Sequence, residues 1–256
     1  MKQQPASDPD FVLSLSRGLS LIEAFHGERE GLTVSAAAGK TGLSRAAVRR
    51  LLITLESLGY AERTGSLFRL TSRILRLGFS FVTSNAIAEL ALPLLAQVSE
   101  RIHESSSVSL LDGDHIVYVA RSAPRRVMTI DLGVGSRLPA YCTSMGRVLL
   151  AALPPEELTR YLGNVRLHKH TPKTVVDRER LGRLLKKVRT SGYALVDEEL
   201  KVGLRSIAVP VTSRSGRVVA AMNSGVPAAR VSAAQLMERI LPVLSDHARL
   251  LGQLLA

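Results

Sequence analysis

Apolar residues recur every three or four positions at Val12, Leu15, Leu19, Ile22 and Phe25, a period that predicts a helix over 12–26. The stretch HGEREG closes it as a loop. Thr33 is placed to cap a short helix running through Ala38, and GKTG (39–42) reads as a tight turn. Ser44 then opens a second periodic stretch with Val48, Leu51, Leu52, Leu55 and Leu58, which Gly59 ends. Next, YAERTGSLFRLT reads as two short strands joined at Thr64-Gly65. The predicted order is helix, helix, tight turn, helix, hairpin.

Helical spacing returns over 85–104, with Ile87, Leu90, Leu94, Leu95, Val98 and Ile102. Pro93 falls inside it and is expected to kink or interrupt the helix. Beyond it, strand and helix signals alternate. SSSVSLLDGDHIVYVARS reads as a hairpin about Asp112-Gly113-Asp114, RRVMTIDL as a third strand, and TSMGRVLLAAL as a helix opening at Thr143 or Ser144. PEELTRYL and VVDRERLGRLLKKVRTSG read as helices, the latter closed by Gly192. SIAVPVTS and RVVAAMNSG read as strands joined at Ser215-Gly216, and the chain ends in one long helix containing a proline. The expected organisation is a disordered tail over 1–10, a small helical domain with a hairpin over 11–76, a linker and helix over 77–104, and an α/β domain over 105–256. The fold class is α+β.

The third predicted helix has a basic face. Arg45, Arg49 and Arg50 lie opposite its leucines. Residues 40–76 hold eight basic and two acidic residues, a net +6. A helix pair joined by a tight turn and followed by a hairpin is the plan of a winged helix-turn-helix, whose second helix enters the major groove of duplex DNA. Lys40, Thr41, Ser44, Arg45, Ala46, Arg49 and Arg50 are the candidate contacts on the helix pair, with Arg63 and Arg69 on the hairpin. Arginine suits both guanine edges and phosphates. The whole chain carries 34 basic and 22 acidic residues, a formal +12, which steers it toward polyanions. The helix lacks the tryptophan or phenylalanine anchors of a membrane-surface helix.

The motifs LSRGLSLIEAF, LTVSAAAGKTGLSRAAVRRLLITLESLGY and LFRLTSRILRLG resemble the DNA-binding domain of the IclR family of bacterial transcription regulators. LPAYCTSMGRVLLAALP, SGYALVDEELKVGLRSIAVPV, GRVVAAMNSGVP and the long last helix resemble its effector-binding domain. Together they cover nearly all of the chain from Leu15 onward. The resemblance implies a winged helix-turn-helix joined through a linker helix to a GAF-like effector-binding domain. SRLPAYCTSMGRVLLA is similar, more narrowly, to the subgroup governing aromatic-acid breakdown through the β-ketoadipate pathway, which implies an activator. The implied partners are operator DNA with inverted half-sites, a small organic acid, further copies of the chain as a dimer or tetramer, and RNA polymerase. Ser206 stands where many family members carry cysteine, and it keeps a donor and an acceptor there.

The resemblance implies a pocket for the acid, and the residues supply suitable chemistry. Ala140, Tyr141, Cys142, Thr143, Ser144 and Met145 span a strand-to-helix junction whose backbone N–H groups suit a carboxylate. Gly203, Leu204, Arg205 and Ser206 precede a buried strand, and Asn223 and Ser224 end another. The plainer roles are also open: Thr143 and Ser144 as helix caps, Arg205 as a surface residue, Asn223 as a turn former, Cys142 as a small buried residue. No cofactor is expected. Cys142 is the sole cysteine, which excludes an internal disulfide and any multi-cysteine metal site. The histidines are His26, His103, His115, His168, His170 and His247; His168 and His170 lack neighbours at ligand spacing, so no metal is expected.

MKQQPASDPDF has no secretory apolar run, no segment reaches the roughly 20 apolar residues of a membrane span, and the expected location is the cytoplasm. The rivals are a repressor answering to glyoxylate, pyruvate or a sugar acid, a ligand-independent DNA binder, and an enzyme fused to a DNA-binding domain. Against the enzyme, the chain has no G-x-S-x-G, H-E-x-x-H or G-x-G-x-x-G.

Overall fold

The structure, a computed structural model, describes residues 10–28, 30–77, 86–123 and 132–255. It divides into two compact units, 1–84 and 85–256. Most of the tail expected over 1–10, and most of the strand expected in RRVMTIDL, lie outside the described residues.

In the first unit, α1 (Leu13–Glu23), α2 (Val34–Thr41) and α3 (Arg45–Ser57) are followed by β2 (Ala61–Thr64) and β3 (Leu67–Leu70). A two-residue strand β1 (Leu32–Thr33) pairs with β3, which gives a small antiparallel sheet of order β1-β3-β2. Thr33 and Ser44 cap α2 and α3, accepting from the N–H groups of Ala36 and Ala47. Gly42, at φ 69°, ends α2 in a left-handed turn that glycine adopts without strain. Lys40 and Thr41 therefore belong to α2 rather than to the turn expected there. Leu21, Phe25, Ala37, Val48, Leu52, Leu55 and Phe68 form the core. The apolar stripe expected of the first helix is only partly used: Phe25 is buried, but Leu15 and Leu19 are 61% and 50% exposed.

The second unit opens with α4 (Ala86–Ile102). This helix is continuous through Pro93, so of the expected kink or interruption there is no interruption. Its Ala91, Leu95 and Val98 are fully buried against the sheet, so α4 is built into the second unit. The sheet contains β4 (Ser105–Asp112), β5 (His115–Ser122), β6 (Arg137–Pro139), β7 (Ala194–Asp197), β8 (Leu204–Thr212) and β9 (Val218–Pro227). Its order is β6-β5-β4-β9-β8-β7 and every pair is antiparallel. The short strand β7 was not anticipated from the sequence, and β6 was implied only by the strand-to-helix junction at Ala140.

Helices cover both faces. On one lie α4 and α9 (Leu241–Leu254), enclosing Val108, Ile207, Val209, Met222, Leu244 and Leu251. On the other lie α5 (Ser144–Ala152), α6 (Pro155–Asn164) and α7 (Arg178–Ser191), enclosing Ile116, Tyr118, Leu150, Leu181, Leu185 and Ala221. The expected final helix is present and helical throughout: α8 (Ala233–Gln235) runs through a π-helical turn over Leu236–Ile240 into α9, with Pro242 in the first turn of α9. Proline lacks the N–H that a helix interior needs but is tolerated in the first turn. Among the described residues, no helix is long and apolar enough to cross a membrane.

Candidate functional sites: a basic helix and a cavity on the sheet

On the first unit, Arg45, Ala46, Arg49 and Arg50 stand exposed on α3, opposite its buried Val48, Leu52 and Leu55. Arg49 and Arg63 meet across a cleft of about 230 Å³ between α3 and the hairpin, lined also by Ser35 and Ser66. Arg63 is braced: its Nε donates to the Gly65 carbonyl, and its guanidinium lies 5.6 Å from the Phe68 ring. Arg69 is braced similarly by the Glu30 carbonyl. Two candidates have internal roles. Lys40 is paired with Glu28 at 2.5 Å, and the Thr41 hydroxyl donates to the Ala37 carbonyl. Arg73, stacked on Tyr60, was not singled out from the sequence.

On the second unit, a cavity of about 270 Å³ opens between the sheet and the start of α5. Strand register builds its floor. Val196, Ser206, Gly225 and Ser105 are successive cross-strand partners on β7, β8, β9 and β4, and all four line the cavity. Gly225 leaves the middle of that row without a side chain. In the parallel row, Asn223 and Ser107 are partners, and Ser107 faces Arg121. Asn223 and Arg121 line the cavity, and Arg121 Nη1 donates to Ser107 Oγ at 3.2 Å.

The wall facing the floor is the first turn of α5. Thr143 caps the helix, accepting from Gly146 N–H while its hydroxyl donates to the Pro139 carbonyl. Gly146 is obligatory: a Cβ there would stand 2.1 Å from the Ala140 carbonyl oxygen. The Ser144 hydroxyl, by contrast, is buried, lines the cavity and meets no partner among the described residues. Cys142 and Met145 complete this wall. Burial pushes the Cys142 thiol up to about 12, against the pull of Arg147, so it stays protonated and unreactive. Burial likewise raises the Tyr118 phenol to about 12, with Arg121 opposing, and it remains a donor at neutral pH.

A third wall brings Leu200, Lys201 and Leu204, while Leu132 and Leu138 close the side. Of the candidates, Cys142, Thr143, Ser144, Met145, Leu204, Ser206 and Asn223 come together here; Ala140, Tyr141, Gly203, Arg205 and Ser224 are not among the lining residues. Strand alternation accounts for two of these. Arg205 and Ser224 lie between residues that face the cavity, so the pleat turns them to the opposite side. Arg205 is consumed there, by Asp197 at 2.7 Å and by the Ala228 and Val231 carbonyls. Tyr141 instead fastens a loop, its hydroxyl donating to the His168 carbonyl and accepting from the His168 N–H.

Among the described residues, two cations reach the lining, Arg121 and Lys201, and no carboxylate does. Neither was anticipated from the sequence. Alternation along β5 would not have found Arg121, because a bulge opposite Val108 and Ser109 puts Tyr118 and Arg121, three residues apart, on the same cavity. Among the described residues, no cluster of histidine, cysteine or carboxylate side chains suits a metal ion.

A chain that carries both a winged helix-turn-helix and a ligand-sized cavity has the architecture of a regulated DNA-binding protein. Residues 14–65 match the IclR helix-turn-helix domain, and residues 79–252 match the C-terminal domain of bacterial transcriptional regulators of the IclR type. The chain belongs to the IclR family. It is a transcriptional regulator and not an enzyme. It is 45% identical to the Pca regulon regulatory protein of Pseudomonas putida, over 94% of this chain and 84% of that one. It is 37% identical to the p-hydroxybenzoate hydroxylase transcriptional activator of Acinetobacter baylyi, over 96% of this chain and 92% of that one. Among solved structures, it resembles an IclR homologue from Microbacterium hydrocarbonoxydans complexed with 4-hydroxybenzoate. The TM-score there is 0.80 at 26% identity, covering 93% of this chain and 97% of that one.

Proposed function

We propose that this IclR-family regulator activates genes for the breakdown of an aromatic acid through the β-ketoadipate pathway, and that its effector is a small hydroxylated aromatic or dicarboxylic acid. The lining of the cavity carries this reading. Among the described residues, its lining is mostly apolar, holds Arg121 and Lys201 without a carboxylate, and includes one buried hydroxyl, Ser144, that lacks a partner. A ring fits the apolar part. A carboxylate satisfies the cations and the first N–H groups of α5 through charge-assisted bonds. Tyr118, Ser206 and Asn223 supply polar groups for ring hydroxyls. The names of the Pseudomonas and Acinetobacter relatives support the same class of gene target.

Promoter recognition rests on α3. One such helix reads only a few base pairs, so the regulator works as a dimer on inverted half-sites. The apolar residues left exposed on α1, Leu15 and Leu19, line a groove with Leu58 and Leu77 and favour a second copy as its cover. A dimer of such dimers, contact with RNA polymerase and a cytoplasmic location complete the proposal.

Calorimetric titration with protocatechuate, p-hydroxybenzoate and β-ketoadipate, with and without promoter DNA, tests it. One of these acids binds well below millimolar concentration and shifts promoter occupancy or transcription. Failure of all three to bind would sink the aromatic-acid reading while leaving family membership intact. Sedimentation with and without DNA tests the assembly, and a monomer in both states would refute it.

A further inference from the structure

The unit expected to read DNA does not hold most of the chain's net charge. Residues 1–84 hold eleven basic and seven acidic residues, a net +4. Residues 85–256 hold twenty-three and fifteen, a net +8. Residues 160–189 alone hold ten basic and two acidic residues, again +8, so the whole excess of the second unit lies in this one segment. A charge kept only for solubility has no reason to concentrate in this way.

Some of these side chains are spoken for. Lys173 is held by Asp197 and Glu198, Arg178 by the Gly163 and Val165 carbonyls, and Arg189 by those of Ala151 and Leu153. The outer face of α7 is different. Leu181 and Leu185 are fully buried on its inner side. Arg180, Arg183 and Lys187 recur at three and four residues along the exposed side, with Lys186 beside them. They form a stripe about 10 Å long at 1.5 Å per residue. The nearest compensation is Glu179, 3.7 Å from Arg183, with both side chains widely exposed, and such a pair contributes little. Arg183 and Lys187 are like charges at i,i+4, which costs the helix a few tenths of a kcal/mol.

No large apolar side chain is exposed on α7. Protein partners are usually anchored by aromatic or apolar groups in a desolvated centre. A stripe of donors without such an anchor matches a phosphate backbone, which asks only for regularly spaced cations.

We propose that the α7 stripe binds the phosphate backbone of duplex DNA flanking the operator, so that the second unit extends the protein–DNA interface beyond the half-sites read by α3. This is independent of which acid fills the cavity.

The test compares a promoter duplex trimmed to the footprint with the same duplex extended on both sides. Affinity for each is measured over a series of salt concentrations. With wild-type protein, the slope of log K against log salt is steeper on the extended duplex, by about 0.9 for each additional phosphate neutralised. A variant carrying Arg180→Gln, Arg183→Gln, Lys186→Gln and Lys187→Gln loses that excess and binds the trimmed duplex as before. An unfolding midpoint unchanged from wild type shows that it is folded. Arginine-to-lysine changes at 180 and 183 retain the excess.

Equal wild-type slopes on the two duplexes would overturn the proposal, and that comparison needs no substitution. So would an excess that survives the quadruple change, or an equal loss on both duplexes. A variant that binds both duplexes normally yet fails to activate transcription would reassign the stripe to polymerase.

Discussion

Arg147 on α5 and Glu199 in the loop before β8 form a buried ion pair, Nη2 to Oε2 at 2.7 Å. Arg147 Nε also donates to the Tyr141 carbonyl, and Glu199 Oε2 also accepts from the Val175 N–H. The Glu199 carbonyl accepts from the Thr174 hydroxyl. The pair therefore joins two walls of the cavity, the α5 turn and the Leu200–Lys201 segment. Removing one partner strands a buried charge. Glu199→Ala should cost about 3–5 kcal/mol in urea unfolding. Glu199→Gln, which can still accept from Val175, should cost less. An unshifted midpoint for Glu199→Ala would show that the pair does not brace the domain.

Ser144 should separate binding from stability. Its hydroxyl is buried without a partner among the described residues, so Ser144→Ala removes an unsatisfied group and should leave the unfolding midpoint level or raise it. Effector affinity should fall by up to about tenfold, equivalent to about 1.4 kcal/mol, if the hydroxyl meets the ligand. Ser144→Leu should abolish effector binding and spare DNA binding. Loss of both would make Ser144 a structural residue only.

Arg121→Met and Lys201→Met should each weaken an acid effector by about 1.5–3 kcal/mol, the range for hydrogen bonds to charged groups. The exposed Lys201 belongs at the lower end. Binding of the corresponding neutral amide should change little. Calorimetry on the acid and amide pair decides, and equal losses for both would mean that the cations only shape the cavity.

Arg205→Ala should destabilise the fold by about 2 kcal/mol, through its lost bond to Asp197, with effector affinity per folded molecule unchanged. The pH dependence has a defined sign. The Arg205 hydrogen bond lowers the Asp197 pKa most, with Lys173 adding to it; Lys173, followed by the Gly203 N–H, lowers that of Glu198. A carboxyl lowered on folding contributes stability above its unfolded value and loses it as pH falls through the folded one. Wild-type stability should therefore decline below the ordinary carboxylate range, and Arg205→Ala should flatten that decline. A profile identical to wild type would disconnect Arg205 from Asp197.

Arg49→Ala with Arg50→Ala should weaken promoter binding and lower the salt slope by about 0.9 for each phosphate no longer neutralised. A footprint and slope like those of wild type would mean that α3 is not the reading helix.

The helix-turn-helix was legible because its signals are local: Ser44 and Thr33 as caps, Gly42 and Gly59 as stops, Thr64-Gly65 as a turn. The cavity was half legible. The α5 turn, Ser206 and Asn223 lie in distinctive strings, but Ser105, Tyr118 and Arg121 become neighbours of them only through sheet register, and Lys201 comes from the loop between β7 and β8. Arg205 misled because a cation at the start of a buried strand resembles a ligand contact, and only the pleat reveals which way it points. Pro93 does not interrupt α4, which is held on both sides of it by the buried Ala91 and Leu95.

The two sheets are closed within separate stretches of chain, one from Leu32 to Leu70 and the other from Ser105 to Pro227. A genetic crossover near residue 84 would sever no strand pairing in either. Through such a junction, evolution can graft the chemical sense of one regulator onto the promoter address of another, and a biosensor engineer can do the same.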